Sequence, residues 1–133
     1  MYTLTVSKEQ AEVISRATEF LARIQMGQLE DVYYQLLDGQ KFKNMQHTEQ
    51  QSVRQLLADA ALIVTGHRGA TLGMHTQNVP DSARTSWDIY QVIRHVLAWE
   101  DHPQGGIQVD FHEPLKVSGQ PLAKFERVEV TND

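Results

Sequence analysis

The chain has 133 residues, of which 41% are hydrophobic and 22% are charged, and its formal net charge at pH 7 is −5. This size and composition are typical of a soluble globular protein, so we expect residues 1–133 to form a single domain. The acidic balance argues against binding of DNA or RNA, and the lack of cysteine excludes disulfides and thiolate metal sites. The sequence shows neither a signal peptide nor an apolar run that could cross a membrane, which together with the lack of cysteine predicts a cytoplasmic protein.

A short strand and a helix are predicted at the start of the chain. Residues 2–6 alternate between polar and apolar side chains and are rich in residues that favour strands. Ser7 and Gln10 then form a capping box, which predicts that a helix begins here. Gly27 is expected to end this helix as the residue after its C-cap.

Two further helices are predicted before the middle of the chain. The second helix covers residues 29–37, and a polar loop follows at residues 40–47. The third begins with another capping box, formed by Thr48 and Gln51, and ends at Gly66. Its predicted buried stripe consists of Val53, Leu56, Leu57, Ala60 and Val64.

The second half of the chain is predicted to contain a long loop, a fourth helix and two strands. The loop at residues 66–81 leads into a helix that ends near Glu100, and residues 107–111 and 123–130 alternate as strands do. The order predicts an α+β fold in which about four helices pack with a small antiparallel sheet, made by the N-terminal strand and a C-terminal hairpin or arm. Because two or three strands form a weak sheet, we expect the arm to pair with or wrap around another subunit in a homo-oligomer.

One side of the fourth helix carries polar residues that favour a ligand site. Arg84, Asp88, Gln91 and His95 lie at i, i+4, i+7 and i+11, and Arg94 lies beside them. Residues 66–95 sum to +1, whereas residues 1–65 sum to −2 and residues 96–133 to −4. One interpretation is a cleft wall in which the arginines hold phosphate while Gln91 and Asp88 select hydroxyls or a base edge. The alternative is a solvated face with an i,i+4 ion pair between Arg84 and Asp88.

The loop before this helix is the second candidate for ligand contacts. Its glycines, among them Gly73, allow a close approach of the backbone to a ligand, but the loop matches neither the P-loop nor the dinucleotide fingerprint. Arg68 and His75 are either donors to an anion or ordinary surface residues. Trp99 is either a core residue or a platform on which a base stacks. No nucleophile elbow or metal-ligand spacing is found, and the paired carboxylates Glu30-Asp31 and Glu100-Asp101 are expected at helix ends. We therefore expect no catalytic residue, no metal and no cofactor.

Several segments resemble a widespread family of small phage and prophage proteins. The most specific is the run DIYQVIRHVLAW, and the similarity spans nearly the whole chain, at residues 13–17, 23–30, 72–75, 79–84, 88–99 and 121–124. The chain departs from the family at residues 66–70, where Gly-His-Arg-Gly-Ala replaces a stretch expected to be richer in Asn and Ser. This departure concerns the identity of the ligand rather than the fold.

The resemblance extends to the first type of Thoeris anti-defence protein, and it implies a function. Such proteins are non-enzymatic sponges that hold a cyclic isomer of ADP-ribose, and in some cases cyclic oligonucleotides, in pockets near the interfaces of a homo-oligomer in the cytoplasm of the infected bacterium. Combined with the residues singled out above, the resemblance predicts ligand contacts at Arg94, Gln91, Arg84, Asp88, His95, His75, Gly73, Arg68, Gln28 and Trp99. The alternatives are a protein-interaction or regulatory module without a small ligand and, least favoured, a small nucleotide hydrolase.

Overall fold

A computed structural model describes residues 1–129, and it is helical, with 55% helix and no strand. Its elements are α1 (Lys8–Gln25), α2 (Asp31–Leu36), α3 (Gln40–Lys43), α4 (His47–Thr65), α5 (Asp81–Asp101) and a 3₁₀ turn (Val109–Phe111). No helix in this part of the chain is long and apolar enough to cross a membrane.

The predicted α+β fold is wrong, because the described residues form no sheet. Residues 2–6 lie outside any regular element, and the segment predicted as a strand at residues 107–111 contains the 3₁₀ turn. Residues 123–129 likewise form no regular element. Val130, the last residue of the predicted strand, lies outside the described residues.

Packing against helices accounts for only single residues of the alternating segments, because Tyr2, Leu4 and Val128 are exposed. Val6 and Phe125 both pack on a core cluster formed by Ala11, Ile93 and Leu97 of the long helices. Main-chain groups of the C-terminal arm, at residues 110–118, form hydrogen bonds with side chains of α5. A chain whose polar main-chain groups find such partners does not need a neighbouring strand.

The predicted ends of α1 are confirmed in detail. The main-chain N–H of Ser7 donates to Gln10 Oε1 at 2.9 Å, and the N–H of Gln10 donates to Ser7 Oγ at 3.2 Å, which is the reciprocal pattern of a capping box. At the other end Gly27 has φ of +85°, and the N–H of Gln28 reaches the carbonyl oxygen of Arg23 at 2.9 Å. This is a Schellman motif, which requires a left-handed residue where glycine stands.

The helices after α1 differ from the prediction in three respects. The segment predicted as a loop at residues 40–47 contains the short helix α3 and the first residue of α4. The predicted second capping box is wrong, because α4 begins after Gln46, whose side chain makes no capping bond. The predicted stripe of α4 is only partly covered, since Leu56 is 70% exposed and no residue of α4 is fully buried. Gly66 ends α4 as predicted, with φ of +85° and an N–H bond to the Leu62 carbonyl oxygen at 2.8 Å.

The chain divides into two compact units, and the prediction of a single domain stays a prediction. Met1–Glu19 and Arg84–Asp133 form the first unit, whose core is the cluster of Ala11, Ile93 and Leu97. Phe20–Ala83 form the second. Its centre is aromatic: Tyr33 packs edge-on against Phe42 with ring centroids 5.7 Å apart, and the Arg54 guanidinium lies 5.5 Å from the Tyr33 ring.

Candidate functional site

The polar side of α5 holds the C-terminal arm of its own chain. Asp88, which is 3% exposed, accepts the N–H of Val117 at 2.8 Å and the N–H of Ser118 at 3.0 Å on its two carboxylate oxygens. Gln91 Nε2 donates to the Leu115 carbonyl oxygen at 2.9 Å. The arm therefore runs antiparallel to α5, because residues later in the arm meet residues earlier in the helix.

Side chains one and two turns further along the helix also bind main-chain groups of the arm. His95 Nδ1 lies 2.9 Å from the carbonyl oxygen of Asp110, to which it donates in the Nδ1–H tautomer. Trp99 Nε1 donates to the carbonyl oxygen of Phe111 at 3.1 Å, and the two rings meet edge-on with centroids 5.4 Å apart. Four of the predicted ligand contacts thus bind main-chain groups of the arm. Asp88 and Gln91 bind it at residues 115–118, whereas His95 and Trp99 bind carbonyl oxygens of the 3₁₀ turn.

Arg94 lies beside this row and is held by an aromatic ring and a carboxylate. Its guanidinium stacks on Tyr90 at 4.7 Å from the ring centroid, and Nη1 donates to the Tyr90 hydroxyl oxygen at 3.1 Å. Its Nε lies 3.6 Å from Asp110 Oδ1, and the side chain is 18% exposed. A guanidinium positioned in this way is restricted in its rotamers and loses less entropy when it binds an anion.

Arg94 is the one predicted contact that lines an open cleft of the first unit, which we call the arginine cleft. This open cleft has a volume of about 910 Å³. Its charged groups are two guanidiniums and three carboxylates, and its apolar lining comes mainly from the segment after α5; the members used below are Glu12, Arg16, Arg94, Asp101, Ile107, Asp110 and Phe111. The side chains from α1 were missed because an i,i+4 pair of Glu12 and Arg16 has the pattern of an ordinary solvated face.

Two of the acidic groups in the arginine cleft have basic neighbours. Asp110 lies beside Arg94, and Asp101 forms an ion pair with Lys8 from the first turn of α1. The hydrogen bond and the charge of Asp101 raise the pKa of Lys8 above its usual 10.5. Burial raises the pKa of the Tyr90 hydroxyl above its usual 10.0, and the hydrogen bond from Arg94 opposes this shift. Tyr90 therefore stays protonated beside Arg94 at neutral pH.

Gln28 and Arg68 line a smaller cleft, which belongs to the second unit and which we call the loop cleft. Its volume is about 230 Å³. Gln28 is fixed at both ends of its amide, because Oε1 accepts from Arg23 Nη1 at 2.8 Å and Nε2 donates to Thr71 Oγ1 at 3.1 Å. The sequence predicted one site for all ten contacts, whereas the structure distributes Arg94 and this pair between clefts of different units.

The remaining three predicted contacts line neither cleft. Arg84 is a half-buried residue of α5, and His75 is exposed in the loop before it. The carbonyl oxygen of Gly73 closes a turn by accepting the N–H of Thr76 at 3.0 Å. Within the described residues no group of three or more His, Asp or Glu side chains could hold a metal ion.

Comparisons with known proteins return no relative for this chain. No family model matches it, and no curated protein and no solved structure matches it.

Proposed function

We propose that this chain binds a nucleotide-derived signalling molecule and sequesters it without changing it, as a phage protein that counters bacterial defence. The observation that carries the proposal is the position of Arg94, which is held by Tyr90 and Asp110 at the wall of the arginine cleft. The biological setting rests on the resemblance to the Thoeris anti-defence proteins. The proposal includes a homo-oligomer, for which light scattering after size exclusion gives the mass.

The size of the arginine cleft suits a nucleotide. Its volume of about 910 Å³ falls within the range of roughly 300–1,000 Å³ that is common for small-molecule sites. A cyclic dinucleotide or a cyclic ADP-ribose isomer has the size of ligand for which such clefts are used. A single phosphate ion would leave most of this volume to water.

The chemistry of the lining offers one group for each part of a nucleotide. Arg94 is suited to a phosphate, since a guanidinium binds two oxygens at once. The carboxylates of Glu12 and Asp101 are acceptors of the kind that bind ribose hydroxyls in dinucleotide sites. Ile107 and Phe111 supply apolar surface for a base.

The mixed charge of the lining leads to a specific expectation about selectivity. Three carboxylates outnumber two guanidiniums, so the cleft is not a general site for polyanions. We therefore expect a nucleotide that carries hydroxyls and a base to bind much more tightly than pyrophosphate alone. Equal affinity for the two would contradict the assignment of the carboxylates to ribose.

The test is calorimetric titration with cyclic ADP-ribose isomers and with cyclic di- and trinucleotides. The Arg94→Gln variant should lose binding while its thermal unfolding stays cooperative, and Arg127→Gln should bind as the unaltered chain does, because Arg127 is exposed and lies outside the cleft. Heating the complex and separating the released ligand by chromatography should recover the ligand intact. Recovery of an altered ligand would show a hydrolase, and binding that survives Arg94→Gln would overturn the site.

A second candidate is a protein-interaction module, and α4 favours it. Leu56 and Ile63 are 70% and 85% exposed and lie one heptad apart on the same face of this helix. Exposed apolar residues at this spacing are typical of helix faces that contact another protein. The absence of binding across the whole nucleotide panel, together with retention of one specific host protein, would favour this candidate over a sponge.

A further inference from the structure

Many of the residues that line the loop cleft have small side chains. Gly27, Ala58, Ala61, Gly69 and Ala70 all line it, so the space exists because side chains are short. Ala61 and Leu62 come from α4, and they make one wall apolar. The cleft is thus a small pocket with an apolar wall and a wall of irregular backbone.

The backbone of this cleft offers donors, because most of its acceptors are already used. The carbonyl oxygens of Gln28 and His67 accept N–H bonds from Asp31 at 3.2 Å and Ala70 at 3.2 Å. The N–H groups of Arg68 and Gly69 have no acceptor within residues 1–129. Unused donors beside satisfied acceptors favour a ligand that brings oxygen acceptors.

The charges of the loop cleft also favour a ligand with negatively charged oxygen acceptors. Arg68 is exposed, and its guanidinium has no partner among the described residues. The acidic group in the lining, Glu30, lies 3.6 Å from Arg54 Nε and is offset by that charge. The C-terminal end of α1 adds little negative potential to the cleft. The N–H of Gln28 binds the carbonyl oxygen of Arg23, and the N–H of Leu72 binds that of Met26, just after the helix. The positive charge of Arg23 also lies in the last turn.

We propose that the loop cleft binds a small phosphomonoester, with the phosphate at Arg68 and the main chain of Gly69 and the organic part against Ala61 and Leu62. The volume supports a ligand larger than phosphate itself. An apolar cavity of roughly 150 Å³ accommodates one benzene ring, and this cleft measures about 230 Å³. The site lies wholly within the second unit, so it does not depend on the nucleotide proposed for the arginine cleft.

The first experiment follows amide NMR shifts of the full chain during separate titrations with phenyl phosphate, inorganic phosphate and phenol. We expect phenyl phosphate to shift the amides of Arg68 and Gly69 at concentrations where phenol shifts neither. Inorganic phosphate should shift the same amides with about tenfold weaker affinity, because it lacks contacts with the apolar wall. An ester that binds no better than phosphate would overturn the part of the proposal that concerns the organic group.

Three variants test this site. Arg68→Gln should weaken the binding of phenyl phosphate by about tenfold or more, because it removes a charged hydrogen bond. Arg127→Gln is the matched control and should leave this affinity unchanged, since Arg127 is exposed and does not line the loop cleft. Ala58→Glu places a carboxylate in the wall and should abolish binding while the helical circular dichroism is retained. Binding that is indifferent to Arg68→Gln, or shifts that occur only outside the cleft, would overturn the proposal.

Discussion

Replacing Asp88 by Ala should release the C-terminal arm from α5. The Asp88 carboxylate is almost fully buried and accepts two successive main-chain N–H groups, at 2.8 Å from Val117 and 3.0 Å from Ser118. Among residues 1–129, no other side chain accepts these two N–H groups. The substitution therefore removes both attachments at this end of the arm in a single step.

The magnitude follows from these two bonds. A hydrogen bond to a charged acceptor contributes about 1.5–3 kcal/mol. The released N–H groups become accessible to water, so the lower value applies to each, and Asp88→Ala should reduce the free energy of unfolding by about 3 kcal/mol. Asp88→Asn keeps one acceptor oxygen and should reduce it by about half as much. For a chain of this length, 3 kcal/mol corresponds to a fall in Tm of about 10 °C.

Urea unfolding followed by circular dichroism measures the loss of stability, and hydrogen exchange locates it. In Asp88→Ala the amides of Val117 and Ser118 should exchange much faster than in the unaltered chain. Asp59→Asn is the matched control, because Asp59 is exposed and accepts only from Gln55 at 2.9 Å, and it should change stability by less than about 0.5 kcal/mol. Unchanged protection of these two amides in Asp88→Ala would refute the attachment of the arm to this carboxylate.

Three further substitutions test local features of the fold. Gly27→Ala should destabilise the chain by about 1–2 kcal/mol in urea unfolding, because Gly27 has φ of +85° and a Cβ there would lie 2.6 Å from Thr65 Cγ2; unaltered stability would contradict that close packing. Ser7→Ala should reduce the unfolding free energy by about 1 kcal/mol, since it removes the hydroxyl that caps the N–H of Gln10, and a loss of helix confined to other segments would argue against this role. Burial raises the pKa of the Tyr90 hydroxyl above 10.0, so the protonated phenol is favoured in the folded state and this contribution to stability is lost as the pH rises above 10. Alkaline titration of the tyrosinate absorbance should show a late step that Tyr90→Phe removes.

The helix ends of this chain could be predicted because local interactions determine them. Ser7 and Gln10 are three residues apart and satisfy each other's main-chain groups, whatever the rest of the chain does. Gly27 and Gly66 are the residues that tolerate the left-handed conformation at a helix end. The capping box assigned to Thr48 and Gln51 failed, although it has the same pattern, because α4 begins two residues earlier, at His47 after Gln46.

The candidate site was predicted only in part. Arg94 was identified from its place on α5, and the structure places it at the arginine cleft. The contributions of Glu12 and Arg16 to that cleft could not be predicted, because they come from a helix some eighty residues away in sequence. Asp88 and Gln91 were correctly grouped on one side of the helix. Their spacing alone cannot predict whether these side chains bind a ligand or, as in the structure, the main chain of the C-terminal arm.

The sequence by itself determined the three long helices, the caps at the ends of α1 and the amphipathic side of α5, because these depend on residues three to five positions apart. The tertiary structure decided what the extended segments do. Alternation in residues 2–6 and 123–129 is compatible with a strand and with an extended arm, since both place alternate side chains on one face. In the structure, main-chain groups of the arm at residues 115–118 form hydrogen bonds with the side chains of Asp88 and Gln91 of α5. That outcome depends on contacts between residues more than twenty positions apart, and no local pattern reports them.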